Sequence, residues 1–505
     1  MLKKGFIRAF GVVTLATILV RVAGLAREMT SANYFGTTLV YDAFLLAFMI
    51  PNFLRGVLAE GGLNSAFIPV FSEYLGPERR PEAQKVVSDT IGASLLATLA
   101  LSVLVMLAAG AARFFPISHK AFLILSFLRF TIFYLVFISL AALVMGVLNS
   151  LGHFTAPALA PLGLDFFWIL SLVLAAGRFN LGLTGRTYCL IGGLLLGGAA
   201  QLAIALPAFH RRGFRLRPSL DFRNPALVRM GRLLLPVLVG VAVTPINLMV
   251  DYFLASLISP GMVSSLWYAN RLVQLPIGVF GVAIATVALP SLSRLAAEGD
   301  LPKLKQTLNF SMQLNFLLVI PAALGLVFFR EPIIRVFFER GLFTSRSTAA
   351  TGFALLFYSM GLFAYTGGIL LTRAFYALRD TVTPVRVGLL SILVNVGLDL
   401  LLMGPLRQGG IALATALVGT LNFFLLYHLL RRRIGPLDGK LVLRKALGVL
   451  LISGLAVLAA WRCLRAARHL GPLLSLLAAF AGGLAAYAAA YWLLLHRRYR
   501  ERPSA

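Results

Sequence analysis

Residues 90–110 read Thr90-Ile-Gly-Ala-Ser-Leu-Leu-Ala-Thr-Leu-Ala-Leu-Ser-Val-Leu-Val-Met-Leu-Ala-Ala-Gly110, a run without a charged side chain. A helix of that length rises by about 30 Å, which matches the hydrocarbon core of a bilayer. Charges bracket the run, with Lys85 and Asp89 before it and Arg113 after it. Similar runs recur along the whole chain. Fourteen spans are predicted, at 6–26, 38–58, 87–110, 121–148, 157–177, 187–208, 229–257, 262–290, 307–329, 348–371, 385–403, 409–430, 443–463 and 472–495. The fold class is therefore an all-α polytopic membrane protein.

Composition agrees with that reading. Of 505 residues, 59% are hydrophobic and 13% are charged. A soluble protein carries about a quarter charged residues. No connection between spans is long enough for a soluble domain, which excludes an enzyme whose chemistry resides in one. The net charge of +28 does not indicate nucleic acid, because the basic residues cluster in short segments between apolar runs. That pattern orients a membrane protein and attracts anionic lipid headgroups. More of these residues fall on the side of the termini, which predicts that both termini are cytoplasmic. The start, Met1-Leu-Lys-Lys-Gly-Phe-Ile-Arg8, resembles the basic opening of a signal peptide. No Ala-x-Ala site clearly follows, so it reads as a retained first helix. Cys189 and Cys463 fall in or beside spans and carry no redox signal. No Cys or His spacing suggests zinc or an iron–sulfur cluster.

Two motifs echo one another at nearly the same displacement. Phe67-Ile-Pro-Val-Phe-Ser-Glu73 pairs with Ala288-Leu-Pro-Ser-Leu-Ser-Arg294, and Phe154-Thr-Ala-Pro157 with Thr381-Val-Thr-Pro384. Six spans separate the members of each pair. An even number preserves orientation, so the echoes predict two parallel six-helix lobes. Residues 1–208 form one lobe and 209–430 the other, while 431–505 add two helices and a cytoplasmic tail.

Charge inside a span is costly and demands a partner, a cavity or a function. Arg21, Arg27 and Arg55 of the first lobe and Arg271 of the second are candidates to line a shared cavity. Guanidinium forks suit phosphate oxygens and keep their charge in a partly dry site. Asp42 and Glu60 are candidate gates that pair with individual arginines; the competing reading is structural ion pairing. Arg129, near the start of the fourth span, reads as a snorkelling side chain outside that site. A second cluster is Asn395 and Asp399, at i and i+4 on one helix face, with Thr415 and Asp251. These oxygen groups suit sodium, a proton carried by Asp399 or Asp251, or simply an interhelical hydrogen-bond pair. Gly192-Gly-Leu-Leu-Leu-Gly-Gly198 reads as close helix packing rather than a nucleotide loop.

The chain resembles the lipid II flippase family MurJ, formerly MviN, within the wider multidrug, oligosaccharidyl-lipid and polysaccharide exporter superfamily. The resemblance is carried by Arg21-Val-Ala-Gly-Leu-Ala-Arg27-Glu28, Asp42-Ala-Phe44, Pro51-Asn-Phe-Leu-Arg55-Gly-Val-Leu-Ala-Glu60-Gly61 and Ala66-Phe-Ile-Pro-Val-Phe71. It continues through Gly146-Val-Leu-Asn-Ser150, Pro157-Ala-Leu-Ala-Pro161, Trp267-Tyr-Ala-Asn-Arg271-Leu272 and Leu275-Pro-Ile-Gly-Val-Phe-Gly281. It implies a cationic cavity receiving lipid II, an undecaprenyl diphosphate bearing a disaccharide-pentapeptide, and its transfer to the outer leaflet for peptidoglycan synthesis. By position, Arg21, Arg27, Arg55 and Arg271 match the family's functional arginines, Asp42 its aspartate and Glu60 its Ala-Glu-Gly motif. Asp251, Asn395, Asp399 and Thr415 resemble the sodium ligands of some members, with Ile411 contributing a backbone carbonyl. The chain departs from the family at Gly56, where some members carry a second arginine, and at Asn270, where an aspartate is usual.

The expected activity is alternating access in a bacterial cytoplasmic membrane, without covalent chemistry. The protein reads as a monomer, with sodium as the candidate bound ion and cell-wall synthesis proteins as candidate partners. The alternatives are export of another polyprenyl-linked saccharide or a drug, and a non-transporting scaffold for wall synthesis.

Overall fold

The computed structural model describes residues 2–56 and 64–493, without the side chains of 2–14, 64–65, 77, 113, 235–237, 239–241 and 243–244. Its helices run α1 Leu2–Phe35, α2 Leu39–Leu54, α3 Asn64–Ser72, α4 Arg80–Ala111, α5 His119–Thr131, α6 Tyr134–Ser150, α7 Thr155–Leu159, α8 Pro161–Val173, α9 Leu183–Arg211 and α10 Pro225–Ile258. They continue with α11 Met262–Pro276, α12 Ala283–Ala297, α13 Leu301–Phe328, α14 Arg330–Phe337, α15 Ser345–Met360, α16 Leu362–Ala377, α17 Val382–Ile434, α18 Gly439–Ala466 and α19 Pro472–Tyr491. Among the described residues, nine helices or unbroken helix pairs are long and apolar enough to cross a membrane. They become ten if α15 and α16, bent by 45°, count as one span. The protein is thus an all-α polytopic membrane protein.

Local chemistry sets the helix ends. Ser118 caps α5 by accepting from the Ala121 amide at 3.2 Å, and Asp300 caps α13 by accepting from Lys303 at 3.0 Å. Gly261, at φ 89°, makes the turn between α10 and α11. The long α17 contains one non-helical residue, Arg407, at φ 49° and ψ −134°. This break lies between the two spans expected at 385–403 and 409–430.

The chain forms two compact units, Met1–Met249 and Val250–Ala505. Each has the same internal packing plan. In the first, α2 packs on α5, α4 on α5 and α6, α3 on α6, and α6 on α9. In the second, α11 packs on α15, α13 on α15 and α16, α12 on α16, and α16 on α17. The echoed prolines occupy like positions. Pro157 and Pro384 each stand third in their helices, α7 and α17, where an absent amide proton costs nothing. Pro69 and Pro290 lie inside α3 and α12.

Glycines bring α8 and α9 together. A Cβ at Gly193 would lie 2.6 Å from the Phe167 carbonyl oxygen, and one at Gly197 would lie 2.8 Å from the Leu164 Cα. The segment after α9 is strapped to the first turns of α4. Gln84 accepts from the Arg215 amide at 2.9 Å and donates to its carbonyl at 2.8 Å, while the Ser219 amide donates to Ser88 at 3.1 Å. Buried Asp89 accepts from the Ser219 hydroxyl and, at 2.7 Å, from the Asn224 amide. Lys85 pairs with Asp221 at 2.9 Å and, with the Arg223 amide, holds that carboxyl below its ordinary range. This interaction contributes at pH above the ordinary carboxylate value and is lost as the pH falls through the lower folded-state value.

The strap passes directly over Gly92, where a Cβ would lie 2.0 Å from the Ser219 carbonyl oxygen. Gly92→Ala should therefore lift it and destabilise the protein by about 1–3 kcal/mol. Thermal unfolding in detergent, with limited proteolysis of residues 212–224, tests this; an unchanged melting temperature and cleavage pattern would contradict it.

Candidate functional site

In the first unit the charged residues centre on Arg27, whose side chain is 15% exposed. Its Nη1 donates to Asp165 Oδ1 at 2.8 Å and its Nη2 to Glu28 Oε1 at 2.9 Å. Both acids are buried. The guanidinium lies over the Trp168 ring, 5.1 Å from its centroid. Trp168 is in turn fixed by donating from Nε1 to the Ser31 hydroxyl at 2.9 Å and by edge contacts with Phe44 and Phe48. Arg27 Nε is buried and has no hydrogen-bond partner among the described residues. α1 and α8 thus share a cation held by two carboxylates and an aromatic face, with one donor still available.

The other candidates in this unit occupy different settings. Arg21 is exposed on α1. Arg55 ends α2 and donates from Nε to Asn52 Oδ1 at 3.1 Å. Asp42 is fully buried in the first turn of α2, where a negative charge suits the helix dipole, and Lys120 of α5 lies within its electrostatic reach. Glu60 lies outside the described residues. Arg27 is therefore paired with Glu28 and Asp165, neither of which the sequence reading assigned as its partner. Glu28 stands inside the quoted motif, so its adjacency to Arg27 was an available signal. Asp165 is an isolated acid in an apolar span, the kind of residue that calls for a partner.

In the second unit, Arg271 is half-buried on α11, with its guanidinium 4.4 Å from the Trp267 ring centroid. The other cluster comes together as a polar nest. Asn395 Nδ2 donates to Asp251 Oδ1 and to Asp399 Oδ2, each at 2.7 Å. Thr415 Oγ1 lies 2.9 Å from Asp251 Oδ2 and 3.0 Å from the carbonyl oxygen of Ile411, so its single proton serves one of them. Asp251, Asn395 and Asp399 have no exposed surface. Asn395 Oδ1 and Asp399 Oδ1 are buried without a hydrogen-bond donor among the described residues.

Those two orphaned oxygens decide how the nest fits a cation. Buried acceptors are nearly always satisfied, and two carboxylates supply negative charge. The set of hard oxygen atoms, with the Ile411 carbonyl and the Thr415 hydroxyl, suits an alkali cation. Among the described residues no cluster of three or more His, Cys, Asp and Glu residues could hold a metal ion, so nothing there resembles a transition-metal centre.

Comparison with known proteins gives a consistent result. The family described as lipid II flippase MurJ matches residues 31–479. A probable lipid II flippase MurJ from Vibrio cholerae is 34% identical over 441 residues, covering 85% of this chain and 82% of that protein. A lipid II flippase MurJ from Burkholderia cenocepacia is 32% identical, covering 84% of each. A solved structure of a lipid II flippase MurJ in an inward closed conformation superposes with a TM-score of 0.80 at 26% identity, covering 96% of this chain and 99% of that one. An inward-facing multidrug resistance MATE family transporter of the MOP superfamily shares the fold at a TM-score of 0.64 and 15% identity, covering 84% and 97%.

Two outcomes follow. Asp165→Ala should destabilise the protein by about 1–3 kcal/mol by stranding part of the Arg27 charge, and Arg27→Leu in the same chain should recover some of that loss; additive effects in thermal unfolding would argue against the pair. Sodium, compared with an equal concentration of choline, should raise the melting temperature of the wild type but not of Asp399→Asn. At a hundredfold excess over its dissociation constant the ion would add about 2.7 kcal/mol, and an equal response from both proteins would place the effect elsewhere.

Proposed function

Because the chain belongs to the lipid II flippase MurJ family, we propose that it moves lipid II from the cytoplasmic to the outer leaflet by alternating access. The observation that carries this reading is the extent of the match: it runs from residue 31 to 479 and includes most of both units. The chain is a secondary transporter and performs no covalent chemistry.

The finer architecture is fourteen spans, with parallel lobes at 1–208 and 209–430, two further helices in 431–505 and both termini in the cytoplasm. The repeated packing plan and the like-placed prolines support the parallel repeat. The excess of basic residues on the side of the termini supports the orientation.

In the proposed cycle, Arg21, Arg27, Arg55 and Arg271 bind the diphosphate of lipid II. Arg27 is suited to this because its carboxylate partners can be exchanged for phosphate oxygens and its Nε is already available. The polar headgroup travels through protein while the polyprenyl tail remains in lipid. Asp42 and Glu60 exchange cationic partners as the access side changes.

Asp251, Asn395, Asp399, Thr415 and the Ile411 carbonyl are the proposed cation ligands, and they link α10 to both halves of α17. Sodium held there would neutralise the two carboxylates. A membrane potential of 100 mV supplies about 2.3 kcal/mol per charge moved, enough to bias a conformational equilibrium. The protein acts as a monomer, with phospholipids around it and cell-wall synthesis proteins as candidate partners.

Purified protein in vesicles should translocate lipid II in preference to another polyprenyl-linked saccharide or a cationic drug. Arg27→Ala and Arg271→Ala should each lower the rate at least about tenfold, the loss expected for one well-placed charged contact, while remaining folded by thermal unfolding. Full rates in both folded variants would overturn the arginine mechanism, and preferential transport of another cargo would overturn the substrate.

A further inference from the structure

We propose that a recess between α5 and α9, in the first unit, binds the phosphodiester of a bilayer phospholipid in the leaflet on the side of the 112–118 connection. This recess plays no part in the flipping mechanism above. It has a volume of about 470 Å³ and is lined by Arg129, Phe130, Tyr188, Ile191, Gly192 and Leu195.

The argument starts with Arg129, which lies ten residues into α5, or about 15 Å along the helix from its start. Its side chain reaches back to α4: a Cβ built at Gly110 would lie 3.8 Å from the Arg129 Cζ. The guanidinium is therefore level with the last turn of α4 and close to the connection that carries the exposed Phe114 and Phe115. That is the level of the boundary between headgroups and acyl chains, where aromatic side chains concentrate.

Arg129 lacks the protein partners that Arg27 has. Among the described residues it makes no hydrogen bond or ion pair, and its Nε is buried without an acceptor. Its own neighbour Phe130 offers a ring at 5.9 Å. A permanently charged group at this depth needs an anion to offset its desolvation, and the anion abundant at this depth is a lipid phosphate, which matches the guanidinium fork.

The remaining walls suit a phospholipid. Phe130 and Tyr188 are 43% and 41% exposed and meet edge to face at 6.0 Å, forming an apolar wall. At Gly192 an added Cβ would meet nothing within 4 Å, so the recess remains open above the α9 backbone. A phosphate with its glycerol and first methylenes fits about 470 Å³.

The test uses the full-length protein in detergent, titrated with phosphatidylglycerol or undecaprenyl diphosphate and followed by native mass spectrometry. Arg129→Gln removes the charge. Gly192→Leu fills the recess and keeps the charge. Each should weaken the tightest phosphatidylglycerol binding about tenfold, while undecaprenyl diphosphate binding and the melting temperature remain as in the wild type. Unchanged phosphatidylglycerol binding in either variant overturns the placement. A loss confined to undecaprenyl diphosphate also overturns it, by assigning the recess to cargo.

Discussion

Every charge carried into an apolar helix layer must be neutralised there, and this requirement explains much of the polar structure of the protein. An isolated buried ion costs several kcal/mol even after relaxation. Arg27 meets the requirement with Glu28, Asp165 and the Trp168 face. Asp251 and Asp399 share the amide of Asn395, and Asp251 also lies beside the Thr415 hydroxyl. Asp89 takes its donors from the strap that follows α9. In each case at least one partner comes from a distant part of the sequence, so satisfying the charge also fixes which helices pack together.

The two units place different chemistry on the same frame. Pro157 and Pro384 begin corresponding helices, and Trp168 and Asn395 each stand eleven residues beyond their proline. Trp168 presents a ring to Arg27, whereas Asn395 bridges two aspartates. On the parallel repeat proposed above, these like-placed positions carry different chemistry, one a paired side-chain cation and the other a nest rich in oxygen. Their surroundings are conventional helix packing, with small residues permitting close approach at Gly193 and Gly197.

Much of the fold was legible because membrane helices advertise themselves by uninterrupted apolarity. The predicted runs 87–110 and 187–208 fall within Arg80–Ala111 and Leu183–Arg211, since the helices continue into polar flanks that hydropathy does not count. Close helix packing at α9 was legible in the glycines of 192–198, although not that α8 is the helix packed against Gly193 and Gly197. The Asp251–Asn395–Asp399–Thr415 grouping was legible in part, through the i, i+4 spacing on one helix. The partners of Arg27 were not, because nothing in a linear sequence tells which acid a distant helix will bring to a guanidinium. The strap over Gly92 was also hidden: a glycine in an apolar helix signals close approach, without naming the backbone that approaches.

The contrast between the two nests has a further consequence. A guanidinium is delivered with the polypeptide at synthesis and cannot diffuse away, so the anionic pocket formed by Glu28 and Asp165 draws its counter-charge from the chain itself. The pocket of Asp251 and Asp399 contains no resident basic side chain among its described contacts. With the cation proposed above, its counter-charge is borrowed from the bath, and this half of the molecule would sense the ionic climate outside the chain.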